Sequence, residues 1–299
     1  VPVEVYWILS LPRSGSSVTA YAAAHGLGAA VADEVLGPWD RTGPPYNYPR
    51  LQHDLMRAHH GARCTLSPEV VDLAAELFDI LGAETGKVVC KHPHLRPFPD
   101  EFRAAFPSHR FVWLMRNPLS RLNSLYVRGW TEHLRPNYEL EHFRSFARNW
   151  RSQKQRMIFE RLKRNPARFF RAMYRHWGVR PTEDQVARAV AYTQGSYHGS
   201  SGDIEKESAE QPVSERKWHL PEAALEMYLA DDEVRKLMRK CGYPRLPGAY
   251  RESESRWERK WHQLRGRTPP RATPDAAPHI EARLETKPTN DSESNPKPT

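Results

Sequence analysis

A short apolar run, Val5 to Leu9, stops at the turn-rich segment LPRSGSS and gives way to an Ala-rich helical stretch from Val18 to His25. Strand, loop, helix in that order opens an α/β fold, and it delivers a Gly-Ser loop to a helix N-terminus. Further along, Ser67 and Pro68 offer an N-cap and a first-turn proline for a helix with apolar Val70, Leu73, Ala74, Leu77 and Ile80, which Gly82 can end. Lys87 to Cys90 and Phe111 to Met115 read as two more strands, continuous rather than alternating, as for strands covered on both faces. PDEFRAAF between them reads as a short helix. Alternating strands and helices predict an α/β fold of P-loop-like, three-layer architecture, with a central parallel sheet flanked by helices.

Beyond this core, the periodicity is helical from Asn137 to Ala191 and again from Pro221 to Lys240. The polar segment YHGSSGDIEKESAEQPVSERKW between them reads as a long loop. With 299 residues, 39% of them hydrophobic, the chain suits one sizeable core. We expect a domain over residues 1–250, a charged helical or linker extension over 251–267, and a disordered Pro/Thr/Ser-rich tail over 268–299. Three cysteines, Cys64, Cys90 and Cys241, show no pairing pattern, and no run approaches the ~20 apolar residues of a membrane span. A reducing, cytoplasmic setting is the expectation, and the Ala/Arg/Pro-rich composition suggests a bacterial source.

A formal charge of +9 favours anionic partners without choosing among nucleic acid, a membrane surface, an anionic cofactor and an acidic substrate. The loop Leu11 to Ser17 narrows the choice. Gly15 lets backbone approach a ligand, successive N–H groups and the helix N-terminus present positive potential, and Ser14, Ser16 and Ser17 add hydroxyls, which suits a phosphate or sulfate. The nucleotide-triphosphatase pattern G-x-x-x-x-G-K-[ST] is absent here, which disfavours an ordinary ATP or GTP site. A plain Ser-Gly turn between strand and helix is the competing reading of the loop alone.

The second element is FVWLMRNPLSRLNSLYVRG, in which Arg116 stands at the carboxyl end of a buried strand, where open α/β sheets bind ligands. Ser124 and Arg128 lie four residues apart on the helix that follows and share a face, so three donors can converge on one anion. On the plainer reading, Arg121 and Arg128 form a solvated basic face. Cys90, His92 and His94 alternate along a strand end, but no companion Cys or His pair stands at metal spacing, so no metal site is expected.

Together these residues resemble the sulfotransferases that use 3′-phosphoadenosine-5′-phosphosulfate (PAPS). LPRSGSS looks like the family's 5′-phosphosulfate loop, commonly PRSGTT or PKSGTT, and Arg116 with Ser124 resembles its pair for the 3′-phosphate. The spacing is most similar to the tyrosylprotein branch and its bacterial relatives. Arg13, Glu34 twenty-one residues later, and Lys91 match that branch's reacting-centre residues, with His92 replacing the aspartate of its K-D-P segment. Arg128 matches a second cofactor arginine, and Ser208, Pro212 to Ser214, and Lys217-Trp218 resemble the loop covering the nucleotide, about three residues shorter here. In FERLKRNP, Phe159 stands where the family carries a tyrosine; its ring can pack but cannot donate a hydrogen bond.

The resemblance spans about residues 5 to 220. It implies in-line sulfuryl transfer from PAPS to an acceptor hydroxyl, with Glu34 as general base; the side chains themselves make His92 or His94 an alternative base. Arg13 and Lys91 would stabilise the leaving oxygen, and no metal would be required. The acceptor could be a peptide tyrosine, a sugar, a lipid or a small phenol, and an acidic one fits the charge. Oligomeric state is not readable. The competing classes are a P-loop-like kinase or phosphotransferase, which lacks its loop lysine and a magnesium ligand, and a basic nucleic-acid-binding protein, for which no motif is present and no nucleic-acid partner is expected.

Overall fold

The computed structural model describes residues 2–33, 66–92, 99–127, 136–194 and 220–243. All lie in the first of two units, Val1–Ser255; the second, Arg256–Thr299, falls outside them, as do the two C-terminal segments expected over 251–267 and 268–299. Five strands form one sheet in the order β2-β3-β1-β4-β5: β1 (Glu4–Ser10), β2 (Ala30–Asp33), β3 (Lys87–His92), β4 (Arg110–Met115) and β5 (Arg156–Ile158). Every pairing is parallel, as expected.

Helix α1 (Ser16–Leu27) follows β1, α2 (Pro68–Gly82) precedes β3, α3 (Pro99–Ala105) precedes β4, and α4 (Pro118–Val127) and α5 (Pro136–Ser152) lie between β4 and β5. After β5 come α6 (Glu160–Arg164), α7 (Pro166–His176), α8 (Glu183–Gln194), α9 (Glu222–Ala230) and α10 (Asp232–Cys241). The start of α2 is as the sequence predicts: Ser67 Oγ accepts from the Val70 amide at 3.3 Å, with Pro68 in the first turn.

Alternation along the strands sends each sheet face into its own core. Tyr6, Ile8, Val89, Val112, Leu114 and Met157 pack with α1, α7 and α8, where the small face Ala20, Ala23, Ala24 lets α1 sit close to the sheet and to Phe170, Tyr174 and Trp177. On the opposite face, Trp7 meets Phe78 of α2, Phe106 and His109, and Trp113 meets Phe146 of α5. These are the outer layers of a three-layer α/β fold. Among the described residues, no helix is long and apolar enough to cross a membrane.

Two expectations from periodicity need correction. The stretch 137–191 is not continuously helical, because β5 interrupts it, and three residues are too few to carry a period of two. Backbone bonds define that strand instead: Trp113 donates to Gln155 O at 2.9 Å and Phe159 donates to Met115 O at 2.8 Å. The stretch 221–240 is two helices, α9 and α10, broken at Asp231, whose carboxylate accepts from the Val234 amide at 2.9 Å and caps the second. β2, in the sequence AVAD, is a strand that its three-residue apolar run did not announce.

Trp7 Nε1 donates to His109 Nδ1 at 2.9 Å, and burial pushes the His109 imidazole down to about 4 from its ordinary 6.5. The unfolded chain therefore takes up this proton first as pH falls. The neutral imidazole's contribution to stability is complete above pH ~6.5 and is lost as pH falls through the folded value. His109→Gln should remove up to about 1.4 kcal/mol per pH unit from the stability slope between those limits, read by urea unfolding at a series of pH values. An unchanged slope would show that His109 is solvated in the native state.

Candidate active site

Parallel pairing brings the carboxyl ends of the strands to one edge, and the central three deliver the residues of interest. β1 runs out into Leu11, Pro12, Arg13, Ser14 and Gly15 before α1 begins at Ser16. Two backbone sites in this loop are left-handed, Arg13 at φ 64° and Gly15 at φ 79°. Glycine takes such a conformation freely, whereas arginine does so at a cost of about 1 kcal/mol, so other contacts must hold Arg13 there.

Arg116, one residue beyond β4, donates from its guanidinium to the Arg13 carbonyl at 2.9 Å. Arg13 in turn donates from Nε to Ser124 Oγ on α4 at 3.0 Å. Behind the loop, Arg121 reaches the Pro12 carbonyl at 3.3 Å, pairs with Glu139 of α5, and sits 5.8 Å from the Phe143 ring centroid. Arg121 is 0% exposed, which overturns its reading as part of a solvated face. Its place on the inner side of α4 gives it a carboxylate and a loop carbonyl instead of water.

Gly15 stands at the start of α1 without a side-chain cap, and no acidic residue occupies the first turn. The amides there keep their positive potential. A Cβ on Gly15 would lie 2.2 Å from the Phe159 ring, so close packing as well as backbone angle requires glycine. Phe159 thus closes one side of the loop, with the Arg116 guanidinium 5.6 Å and Lys163 Nζ 5.8 Å from its ring centroid. Ser14 Oγ is buried, the residue being 1% exposed, and makes no hydrogen bond among the described residues. A buried hydroxyl without a partner costs free energy that a bound oxyanion would recover.

The turn after Arg116 is fixed by its own bonds. Asn117 Oδ1 accepts from the Leu119 and Ser120 amides at 3.0 and 3.2 Å, and the Asn117 amide donates to Glu160 Oε1 at 2.9 Å. Glu160 also accepts from the Tyr243 hydroxyl at 2.8 Å, and burial together with this carboxylate pushes the Tyr243 phenol well above its ordinary range. On the other side of β1, Lys91 Nζ lies 2.7 Å from Asp33 Oδ1 and donates to Ser17 Oγ of α1 at 2.5 Å.

Of the residues singled out from the sequence, Arg13, Arg116 and Ser124 form one bonded group, and Ser17 and Lys91 another, on the two sides of the loop that holds Ser14, Gly15 and Ser16. His92 is the last residue of β3, paired with Leu9, and its side chain lies outside the described residues. Glu34, His94, Arg128, Ser208 and Lys217 lie outside them entirely. Sequence reasoning missed Asp33, Glu139 and Glu160. Asp33 was hidden because β2 is so short; the signal for it was an acid ending the small apolar run Ala-Val-Ala. Among the described residues no cluster of three or more His, Cys, Asp or Glu side chains could hold a metal ion.

A left-handed Gly-Ser loop opens onto an uncapped helix, and Arg116 reaches it from the end of the neighbouring strand, an arrangement that suits an oxyanion. The profile of the Sulfotransferase family matches residues 7–194, and the chain belongs to that family. No curated protein matches it. Among solved structures, the sulfotransferase from Alicyclobacillus acidocaldarius aligns over 84% of this chain and 100% of its own, at 15% identity and a TM-score of 0.44.

Removing Arg121 alone should leave Glu139 buried without its cation. Arg121→Leu is expected to lower stability by about 3 to 5 kcal/mol, and Arg121→Leu with Glu139→Leu to restore much of that loss, both read by denaturant unfolding. A double variant no more stable than the single one would show that contact with the Pro12 carbonyl, rather than charge pairing, is what Arg121 contributes.

Proposed function

We propose that the chain transfers a sulfuryl group from PAPS to an acceptor hydroxyl by in-line displacement. The observation that supports this most is the mutual bonding of Arg13, Arg116 and Ser124 around the Gly15 loop, beside the buried Ser14 hydroxyl, which has no hydrogen-bond partner among the described residues. The residues present fit the nucleotide. The amides and hydroxyls of Ser14, Gly15, Ser16 and Ser17 suit the 5′-phosphosulfate, and Arg116 with Ser124 suits the 3′-phosphate, joined in this reading by Arg128. Ser208 and Lys217 are assigned to the covering loop. PAPS supplies the sulfuryl group and an adenosine 3′,5′-bisphosphate leaving group.

In this mechanism Glu34 takes the acceptor hydroxyl proton as the acceptor oxygen bonds to sulfur and the sulfur–oxygen bond to the 5′-phosphate breaks. Arg13 and Lys91 oppose the charge that develops on the departing phosphate oxygen. Arg13 is aimed from a loop whose backbone Arg116 holds, so it reorganises little as that charge grows. His92 and His94 are the rival candidates for the base. The products are a sulfate ester and adenosine 3′,5′-bisphosphate, with the proton on the base.

Labelled PAPS incubated with the chain and a mixed hydroxyl library should yield sulfated product, identified by mass. Glu34→Gln should lower turnover by about 10² to 10⁴ while cofactor affinity stays within a few-fold. Normal turnover in that variant, with loss in His92→Ala or His94→Ala at intact affinity, would assign the base to that histidine. Arg116→Ala should cost roughly 1.5 to 3 kcal/mol in binding adenosine 3′,5′-bisphosphate and much less for adenosine 5′-monophosphate, by calorimetry. Equal losses for the two nucleotides would move Arg116 away from the 3′-phosphate.

A further inference from the structure

Asp33 ends β2, directly across the parallel register from Lys91 on β3. Both are buried, Asp33 at 0% and Lys91 at 2% exposure, and the ammonium lies 2.7 Å from Asp33 Oδ1. Two groups on α1 complete the arrangement: Ser17 Oγ accepts from Lys91 at 2.5 Å, and the Tyr21 hydroxyl donates to Asp33 Oδ2 at 3.4 Å. Ser17 is in the first turn of α1 and Tyr21 one turn further on, so the pair is clamped against the helix whose N-terminus faces the Gly15 loop.

Fold stability is a poor reason for such a pair. Two buried charges seldom outperform apolar side chains of similar size, and neighbouring positions of these strands, Val88, Val89 and Ala32, are apolar. What the carboxylate does provide is direction. A lysine has four rotatable bonds, and an ammonium at the sheet's edge would otherwise turn out toward water. With Asp33 on one side and Ser17 on the other, the ammonium is held over the N-terminus of α1.

We infer that Asp33 is a positioning residue, whose carboxylate fixes the Lys91 ammonium at the phosphate end of the nucleotide site. This rests on the sulfotransferase reading proposed above. Asp33 acts only through Lys91 and touches neither nucleotide nor acceptor. Its loss should therefore matter only while Lys91 is present, a dependence that a merely structural acid does not have.

The test is a double-mutant cycle on the full chain, read in affinity for adenosine 3′,5′-bisphosphate and in turnover with acceptor at saturation. Lys91→Met should weaken bisphosphate binding by about tenfold, and Asp33→Asn nearly as much. Asp33→Asn together with Lys91→Met should be no weaker than Lys91→Met alone, and turnover should follow the same pattern with acceptor KM unchanged. If Asp33→Asn does not fold, Asp33→Glu serves in its place, because it keeps the charge and displaces it by one methylene, and the same non-additivity is expected. Multiplying losses in the double variant would overturn the inference while leaving the sulfotransferase reading intact. No bisphosphate binding by the unaltered chain would overturn both.

Discussion

The hydrogen bond from the Arg116 guanidinium to the carbonyl of Arg13 joins the end of β4 to the loop that follows β1, and much of the site hangs on it. Arg13 is the only non-glycine residue with a left-handed backbone among those described, and its carbonyl is held by this contact. The Pro12 carbonyl is held from behind by Arg121. Two consecutive carbonyls are thus engaged by cations reaching across from the β4–α4 unit.

The same arrangement sets its cations in different surroundings. Arg121 is neutralised by Glu139 and serves as a strut, whereas Lys91 is balanced by Asp33 yet kept at the sheet's carboxyl edge. Arg116 is bound to a carbonyl and lies near an aromatic ring, neither of which carries a net charge. Glu160, tied to the Asn117 amide and to Tyr243, steadies the turn that carries Arg116 without ion-pairing to it in the contacts described.

Much of this was legible in the sequence, and the parts that were not have physical causes. The order strand, loop, helix at Val5 to His25 and the proline-started helix α2 could be read because propensity, capping and burial agree there. Arg116 and Ser124 were legible because a cation at the carboxyl end of a buried strand, with a hydroxyl on the helix that follows, falls at the edge where open α/β sheets take ligands. β2 and β5 escaped because four and three residues hold too little pattern, and both are edge strands defined by partners distant in sequence. Arg121 was misread because a basic residue on a helix is ordinarily solvated; only the packing of α5 beside α4 brings Glu139 to it. Phe159 was noticed for the hydroxyl it lacks, while its contact with Gly15 depends on β5 lying beside β4.

In the proposed function, the β1–α1 loop and the Arg116 turn form one site for a 3′-phosphorylated adenine nucleotide. Calorimetric titration of the full chain with adenosine 3′,5′-bisphosphate, and separately with ATP in the presence of Mg²⁺, tests it most directly. The bisphosphate should bind at least about tenfold more tightly, without any need for the metal, and raise the melting temperature accordingly. Tighter binding of ATP with Mg²⁺, or no binding of the bisphosphate, would contradict it.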